Sequence, residues 1–275
     1  MTLTASWKTG GASRQVNGKN VALSGYLAVL PALSWSAQDN PLLDGERRAR
    51  RRLLDQGVVA KKPLSVEVLA QYRQILAAKR SLLMRGSSES LEPWNQLLAE
   101  AGHQLIRLRH AYAAQLERAF TDIVAELGIE LPTIRLRYQP NPTEGNSLEE
   151  FVRVLSAAER TERQRQRALL GPHRDDLRID WGSADISRVA STGERKLFGL
   201  ILTAARRRVL AASGSEPLIL LDDLDAALDR QRLVELWQLF VGLPQVVVSS
   251  ADRDLGSLLG QAQSWAVEAG RIEAL

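Results

Sequence analysis

Two adjacent carboxylates close an apolar run near the carboxyl end of the chain. In EPLILLDDLDAALD, Glu216 to Asp229, the apolar residues Leu218 to Leu221 lead directly into Asp222 and Asp223. Such a run reads as a strand buried on both faces of a parallel sheet, and ligands bind at the carboxyl ends of such strands. Asp222 is then placed to hold a magnesium ion, in most cases through water. Asp223 is placed to polarise an attacking water as a general base. A buried strand followed by an aspartate-rich helix cap is the weaker alternative for this segment alone.

A second group of polar residues precedes it. In VASTGERKLFGLILTAARRRVL, Val189 to Leu210, Ser191 and Glu194 stand at capping-box spacing ahead of an apolar-periodic helix. That cap needs no ligand. The same helix start, with Ser191 and Gly193, also offers free N–H groups and the positive end of a helix dipole to a phosphate. The order of the parts is more specific than either part. An S-x-G-[QE] helix, then an apolar strand, then two acids is the order of ABC-type ATPases. The next apolar strand, QVVVSSADRD (Gln245 to Asp254), ends in hydroxyls where most such ATPases carry a histidine that senses the γ-phosphate. All three histidines of this chain lie earlier, so that role falls to Ser249 or Ser250, or is absent.

Gly18-Lys19 in SRQVNGKNVAL raises the question of a phosphate loop. The pattern G-x-x-x-x-G-K-[ST] cradles phosphates with backbone N–H groups and places a hydroxyl on magnesium. Here position 13 is serine and position 20 is asparagine, so both the glycine turn and the hydroxyl are missing. Asn17-Gly18 between two apolar-bearing stretches predicts a two-residue hairpin turn instead, because both residues tolerate positive φ.

The elements that must carry these residues fall into three textures. Residues 1–62 are mixed, with the basic segment GERRARRRLLD from Gly45 to Asp55. From Pro63, Leu69, Tyr72, Leu76 and Leu83 recur at helical spacing, and RGSSES (Arg85 to Ser90) breaks the pattern. A longer helix follows, with Leu98, Leu105, Leu108, Tyr112, Leu116, Phe120, Ile123 and Leu127 on one stripe and Gly128 as its stop. Two such helices joined by a short loop predict an antiparallel arm over 63–130. His103 and His110 sit on it with no ligand-spaced partner and read as surface or packing residues. Residues 131–275 open on a strand, TIRLRYQ (Thr133 to Gln139), then a charged helix whose run Arg160 to Arg167 reads as a solvated face, with DNA phosphate as its alternative contact.

The composition bounds the rest. The chain has 275 residues, 45% hydrophobic and 25% charged, with a formal charge of +4 supplied nearly all by arginine. A packed core is expected. Arginine favours bidentate contact with phosphates and carboxylates. No cysteine is present, which excludes disulfides and thiolate metal sites and fits a cytoplasmic protein. No apolar run approaches a membrane span, and the first residues lack the apolar core of a signal peptide.

With GPHRDDL (Gly171 to Leu177) added, the chain resembles the RecF family, collinearly over essentially its whole length. SAQDNPLLDGERRARRRLLD resembles the family's Q-loop followed by G-x-P-x-x-R-R-R-F-L-D. Gln38 takes the Q-loop position, and Gly45, Arg51, Arg52, Leu54 and Asp55 match the rest. STGERK stands for the signature, with Glu194 where glutamine is usual. LLDDLDAALD resembles the Walker B and D-loop run, with Ala227 in place of a usual glutamate and Asp229 as the D-loop aspartate. The resemblance implies an α/β fold, an ABC-type (SMC/RecF-like) P-loop ATPase head with an inserted two-helix arm. It divides the chain into a remainder of the first lobe (1–62), a helical arm (63–130) and the second part of the head (131–275).

By the same resemblance, ATP and Mg2+ bind a composite site shared between two subunits. Asp222 holds the metal and Asp223 is catalytic, and Gln38, Ser191, Gly193, Asp229 and Ser249 contact nucleotide. ATP would close a homodimer on DNA at single-strand gaps and junctions, in recombinational repair and SOS induction alongside recombination mediator proteins. In the family the hairpin follows the phosphate loop, so this chain is expected to be incomplete ahead of it. The alternative is a short form that has lost nucleotide chemistry and keeps a DNA or partner surface, but unpaired sheet edges argue against it. A non-hydrolysing binding module and the head of another SMC-like ATPase remain as competing functions; the short arm and GPHRDDL argue against the latter. His173 and Arg174 read either as part of a nucleotide pocket or as a structural turn.

Overall fold

The computed structural model describes residues 1–9, 11–36, 42–143, 147–226, 228–252, 254–260 and 263–274. The chain opens on β1 (Leu3–Lys8), β2 (Gly11–Val16) and β3 (Lys19–Asn20), then α1 (Leu23–Leu27), β4 (Ala32–Ser36) and α2 (Arg47–Lys61). Two long helices follow as α3 (Ser65–Met84) and α4 (Glu92–Leu127). Next come β5 (Ile134–Gln139), α5 (Leu148–Arg165), β6 (Asp176–Trp181), β7 (Ala184–Asp185) and α6 (Ile186–Val189). The chain closes with α7 (Thr192–Ala211), β8 (Leu218–Asp222), α8 (Arg230–Trp237), β9 (Val246–Val248), α9 (Leu255–Leu259), β10 (Trp265–Glu268) and β11 (Arg271–Ala274).

The Gly18-Lys19 stretch is a hairpin. β2 and β3 are antiparallel with Val16 opposite Lys19. Asn17 and Gly18 take φ of 49° and 76°, the pair of positive angles a two-residue turn demands. The chemistry-bearing sheet is parallel, in the order β4-β8-β9, so the acidic strand is central. Its burial corrects one expectation. Ile219 and Leu221 are fully enclosed, but Leu218 and Leu220, which alternate to the other face, are only half-buried. The sequence run is continuous in apolarity, yet the strand is fully covered on one face.

Two groups of buried side chains divide the molecule, and α4 runs through both. Its first half, through Leu98 and Leu105, packs with Leu69, Tyr72, Leu76 and Leu83 of α3 and with Phe151 and Leu155 of α5. Its second half, through Tyr112, Leu116, Phe120 and Ile123, joins Phe198 of α7 and the β4–β8 sheet. Each fully buried leucine or phenylalanine contributes on the order of 2 kcal/mol. Gly128 ends the helix in the left-handed conformation. His110 packs edge-on against Tyr138. Among the described residues, no helix is long and apolar enough to cross a membrane.

The run Arg160 to Arg167 is not simply a solvated face. Glu162 is completely buried, with Oε2 at 2.6 Å from Nζ of the equally buried Lys79, and its Oε1 accepts from Leu169 N at 2.7 Å. Arg163 donates to the carbonyls of Ser87 and Glu89, tying α5 to the loop between α3 and α4. The remaining arginines of the run, Arg160, Arg165 and Arg167, are exposed.

Candidate functional site

The parallel register sets Asp222 beside Ser36 of β4. Ser36 Oγ donates to Asp222 Oδ2 at 3.4 Å, and Ser249 Oγ donates to Oδ1 at 2.5 Å. Ser249 follows β9 directly and is fixed there by its own backbone: its N–H donates to Leu221 O at 2.9 Å, and its carbonyl accepts from Leu224 N at 3.2 Å. The same hydroxyl accepts from Asp223 N at 3.0 Å. One serine therefore orients the carboxylate of Asp222 and anchors the peptide of Asp223. Asp223 has φ of 51°, a conformation that costs a non-glycine residue on the order of 1 kcal/mol. Ser250 turns away and pairs with the Asp252 backbone.

The donors around Asp222 are hard oxygens, one carboxylate between two hydroxyls. Magnesium suits such a set, because it keeps several waters and needs only one or two carboxylates beside substrate phosphates. Among the described residues there is no cluster of three or more His, Cys, Asp or Glu that could enclose a metal alone.

The helix start at Ser191 is a closed capping box. Ser191 Oγ accepts from Glu194 N at 3.3 Å, and Glu194 Oε2 accepts from Ser191 N at 2.7 Å. Those bonds hold the Glu194 carboxyl below its ordinary range. A Cβ added at Gly193 would meet nothing, so the helix start can be approached closely at that residue. Arg195 braces the turn by donating to the Ala190 and Ser187 carbonyls and to Asp44. Lys196 Nζ donates to Ala226 O at 2.5 Å, so the start of α7 lies against the loop that follows β8. Asp229 caps α8, accepting from Arg232 N at 2.8 Å. Gln38 and Ala227 lie outside the described residues.

Gly171 to Asp176 forms a tight turn bonded to α2, α3 and α4. Gly171 has φ of 129°, and a Cβ there would sit 2.6 Å from Tyr72 Oη, so only glycine fits. His173 stacks on Tyr72, with Nδ1 at 2.8 Å from Tyr72 Oη and Nε2 at 3.4 Å from Ala168 O. Asp175 is fully buried. It accepts from Arg109 Nη1 at 2.7 Å, from Asn141 N at 2.8 Å and from the Tyr138 hydroxyl. Arg109 also donates to Asp55 and to the Pro172 carbonyl, and Arg51 to the Asp175 carbonyl. Against burial that would lower it, Asp55 and Asp175 raise the Arg109 pKa.

Burial, reinforced by Arg80, pushes His173 down to about 3. The unfolded chain protonates this histidine near 6.5 and the folded chain does not. Its stabilising contribution is therefore complete above about pH 6.5 and is lost as pH falls toward 3, with a slope of up to about 1.4 kcal/mol per pH unit. His173→Gln is expected to flatten the fall of urea midpoint between about pH 6 and pH 4. An acid limb identical to that of the parent would contradict it.

Of the residues the sequence singles out, the structure brings Asp222, Asp223 and Ser249 into one cluster, and places Ser191 and Gly193 at the start of α7 and Asp229 at the start of α8. Sequence reasoning missed Arg109, Asp55 and Asp175 as a network. The available signal was a charge on an apolar stripe, since Arg109 falls between Leu105 and Tyr112 at helical spacing.

No family model matches the chain. It is 29% identical to the DNA replication and repair protein RecF of Streptomyces avermitilis over 278 aligned residues, covering 95% of this chain and 73% of that protein. The RecF of Frankia alni is 31% identical, covering 82% of this chain and 65% of its own length. A solved structure of the recombination mediator protein RecF with ATP superposes with a TM-score of 0.86 at 21% identity, covering 99% of this chain and 75% of that one. The fold is thus that of a RecF head, and the resemblance read from the signature and Walker B runs holds over most of the chain.

Proposed function

We propose that this chain, a homologue of the RecF proteins, supplies the acidic strand and the signature helix of an ATP site that controls DNA binding in replication and repair. The observation that carries the reading is the cluster at the end of the central strand, where Ser249 orients Asp222 and anchors Asp223. Asp222 would position magnesium, whose charge neutralises the nucleotide phosphates. Asp223 would take the proton of the attacking water. Ser191 and Gly193 would meet the phosphates of a nucleotide held by a second copy, and Gln38 and Asp229 would line the shared site. The finer reading, binding at single-strand gaps and junctions in company with recombination mediator proteins, rests on the same homology.

Within these 275 residues no G-x-x-x-x-G-K-[ST] run occurs. That observation favours a second reading, a DNA- or partner-binding module that does not hydrolyse ATP. Calorimetric titration separates the two. The chain alone is expected to bind ATP–Mg2+ no tighter than about 1 mM, because the backbone cradle for the phosphates is missing. Joined ahead of β1 to the phosphate-loop segment of a RecF protein, it is expected to bind in the micromolar range and to lose that affinity with Asp222→Ala. A joined chain that binds no ATP, or that binds equally well with Asp222→Ala, would favour the module.

A further inference from the structure

A cleft of about 550 Å³ opens between the start of α2, strand β6 and the β7–α6 turn. No residue of β8 or β9 lines it, so it is separate from the Asp222 cluster. Arg47, Arg50, Arg178 and Arg188 face it from three helices and strands, together with Asp176 and Asp185. Arg50 is buried and grips Asp185 through both terminal nitrogens at 3.0 to 3.2 Å. Against desolvation that would raise it, Arg50 and Ser187 hold the Asp185 carboxyl at about 2. This pair is a rigid, permanently charged floor.

The rim is less satisfied. Arg47 Nε lies 3.3 Å from Asp176, and its side chain is 72% exposed. Arg178 binds Asp180, a carboxylate that it shares with Arg137. Arg188 is exposed and makes no ion pair or side-chain hydrogen bond among the described residues. Two acids therefore face four arginines, and one of the four has no ion-pair or side-chain hydrogen-bond partner among the described residues. The first turn of α2 opens at the same place, and its cap residue Glu46 makes no side-chain cap bond. Concave placement of arginine forks from separate elements suits a compact oxyanion with several acceptors, which a phosphate offers and a single carboxylate does not.

We propose that this cleft binds a phosphate group, with Arg188 and Arg47 closing on it over the Arg50–Asp185 floor. Asp176 competes with the ligand for Arg47, so binding is modest and sensitive to salt. The phosphate could be carried by a free pyrophosphate compound or by the end of a nucleic-acid strand. The cleft needs neither magnesium nor Asp222, so it stands or falls independently of the ATP site.

The test uses the 275-residue chain without magnesium. Inorganic pyrophosphate is titrated by calorimetry, and a short oligothymidylate with a 5′-phosphate or a 5′-hydroxyl is titrated by fluorescence anisotropy. Saturable binding of pyrophosphate is expected, weakened about tenfold by Arg188→Ala, the loss of one charge-assisted bidentate contact. It should be partly restored in Arg188→Lys and unchanged in Arg160→Ala, a control arginine exposed on α5. A preference for the 5′-phosphorylated strand that disappears with Arg188→Ala assigns the source to nucleic acid. Equal binding of both strands, with pyrophosphate still Arg188-dependent, assigns it to a free compound. The proposal is overturned if pyrophosphate does not saturate, if Arg188→Ala and Arg160→Ala behave alike, or if a glutamate-rich peptide occupies the cleft in preference to phosphate.

Discussion

Arg109→Ala is expected to remove about 3–5 kcal/mol of folding stability, a large share of what a domain of this kind possesses. The arginine side chain is 4% exposed and sits between two carboxylates, of which Asp175 is wholly buried. Its removal leaves the Asp175 charge in the interior with only the Tyr138 hydroxyl, the Asn141 amide and the Arg51 contact to its backbone nearby. The penalty is that of an uncompensated buried ion, not the net worth of a salt bridge. The damage also spreads, because Arg109 joins α4, α2 and the Gly171–Asp176 turn at one point. Arg109→Lys should recover only a fraction, since a single ammonium cannot serve Asp55, Asp175 and the Pro172 carbonyl in the geometry of a planar fork. Arg208→Ala is the control. That residue pairs with Glu126 at the surface, and its loss should cost under about 1 kcal/mol. Urea unfolding followed by circular dichroism measures all three. A midpoint for Arg109→Ala as close to the parent as that of Arg208→Ala would show that the network carries little energy.

This network also marks where a sequence stops being legible. Helices α3 and α4 were readable because Leu69, Tyr72, Leu76 and Leu83, and Leu98 through Ile123, repeat at the spacing of one helix face. Apolar periodicity says nothing about a charge that sits on the same stripe. Lys79 lies between Leu76 and Leu83, Arg109 between Leu105 and Tyr112, and Glu162 one heptad after Leu155. Each is buried with a partner distant in sequence, and only the fold reveals the pairing. The Asn17-Gly18 turn and the Ser191–Glu194 box were legible for the opposite reason: both are local, and their residue types are chosen by backbone angles and N–H groups a few bonds away. The end of the central strand was half legible. An apolar run closing in two acids places Asp222 by register, but the run looks the same whether one or both faces are covered. Nothing in it announces that Asp223 takes a left-handed conformation under the hand of Ser249.

That conformation makes Asp223→Asn an informative substitution. Asparagine adopts positive φ at least as readily as aspartate, so the turn at 223 and its N–H bond to Ser249 should survive. The side chain keeps its shape but loses its negative charge and its ability to take a proton. In the chain joined to a RecF phosphate loop, ATP turnover is therefore expected to fall by about 10²–10⁴-fold, the usual worth of a positioned general base. ATP affinity should remain near that of the parent, because Asp222 and its two hydroxyl partners are untouched. The ATP-bound form should then accumulate and DNA retention should lengthen, since hydrolysis is the step that would release it. Ser249→Ala separates orientation from chemistry. It removes the hydroxyl that orients the Asp222 carboxylate and anchors the Asp223 peptide, and should lower turnover less than Asp223→Asn while raising the magnesium concentration needed for half-maximal rate. Turnover in Asp223→Asn equal to the parent would remove Asp223 as the base. Loss of ATP binding in that variant, with Asp222 intact, would instead assign Asp223 to the metal.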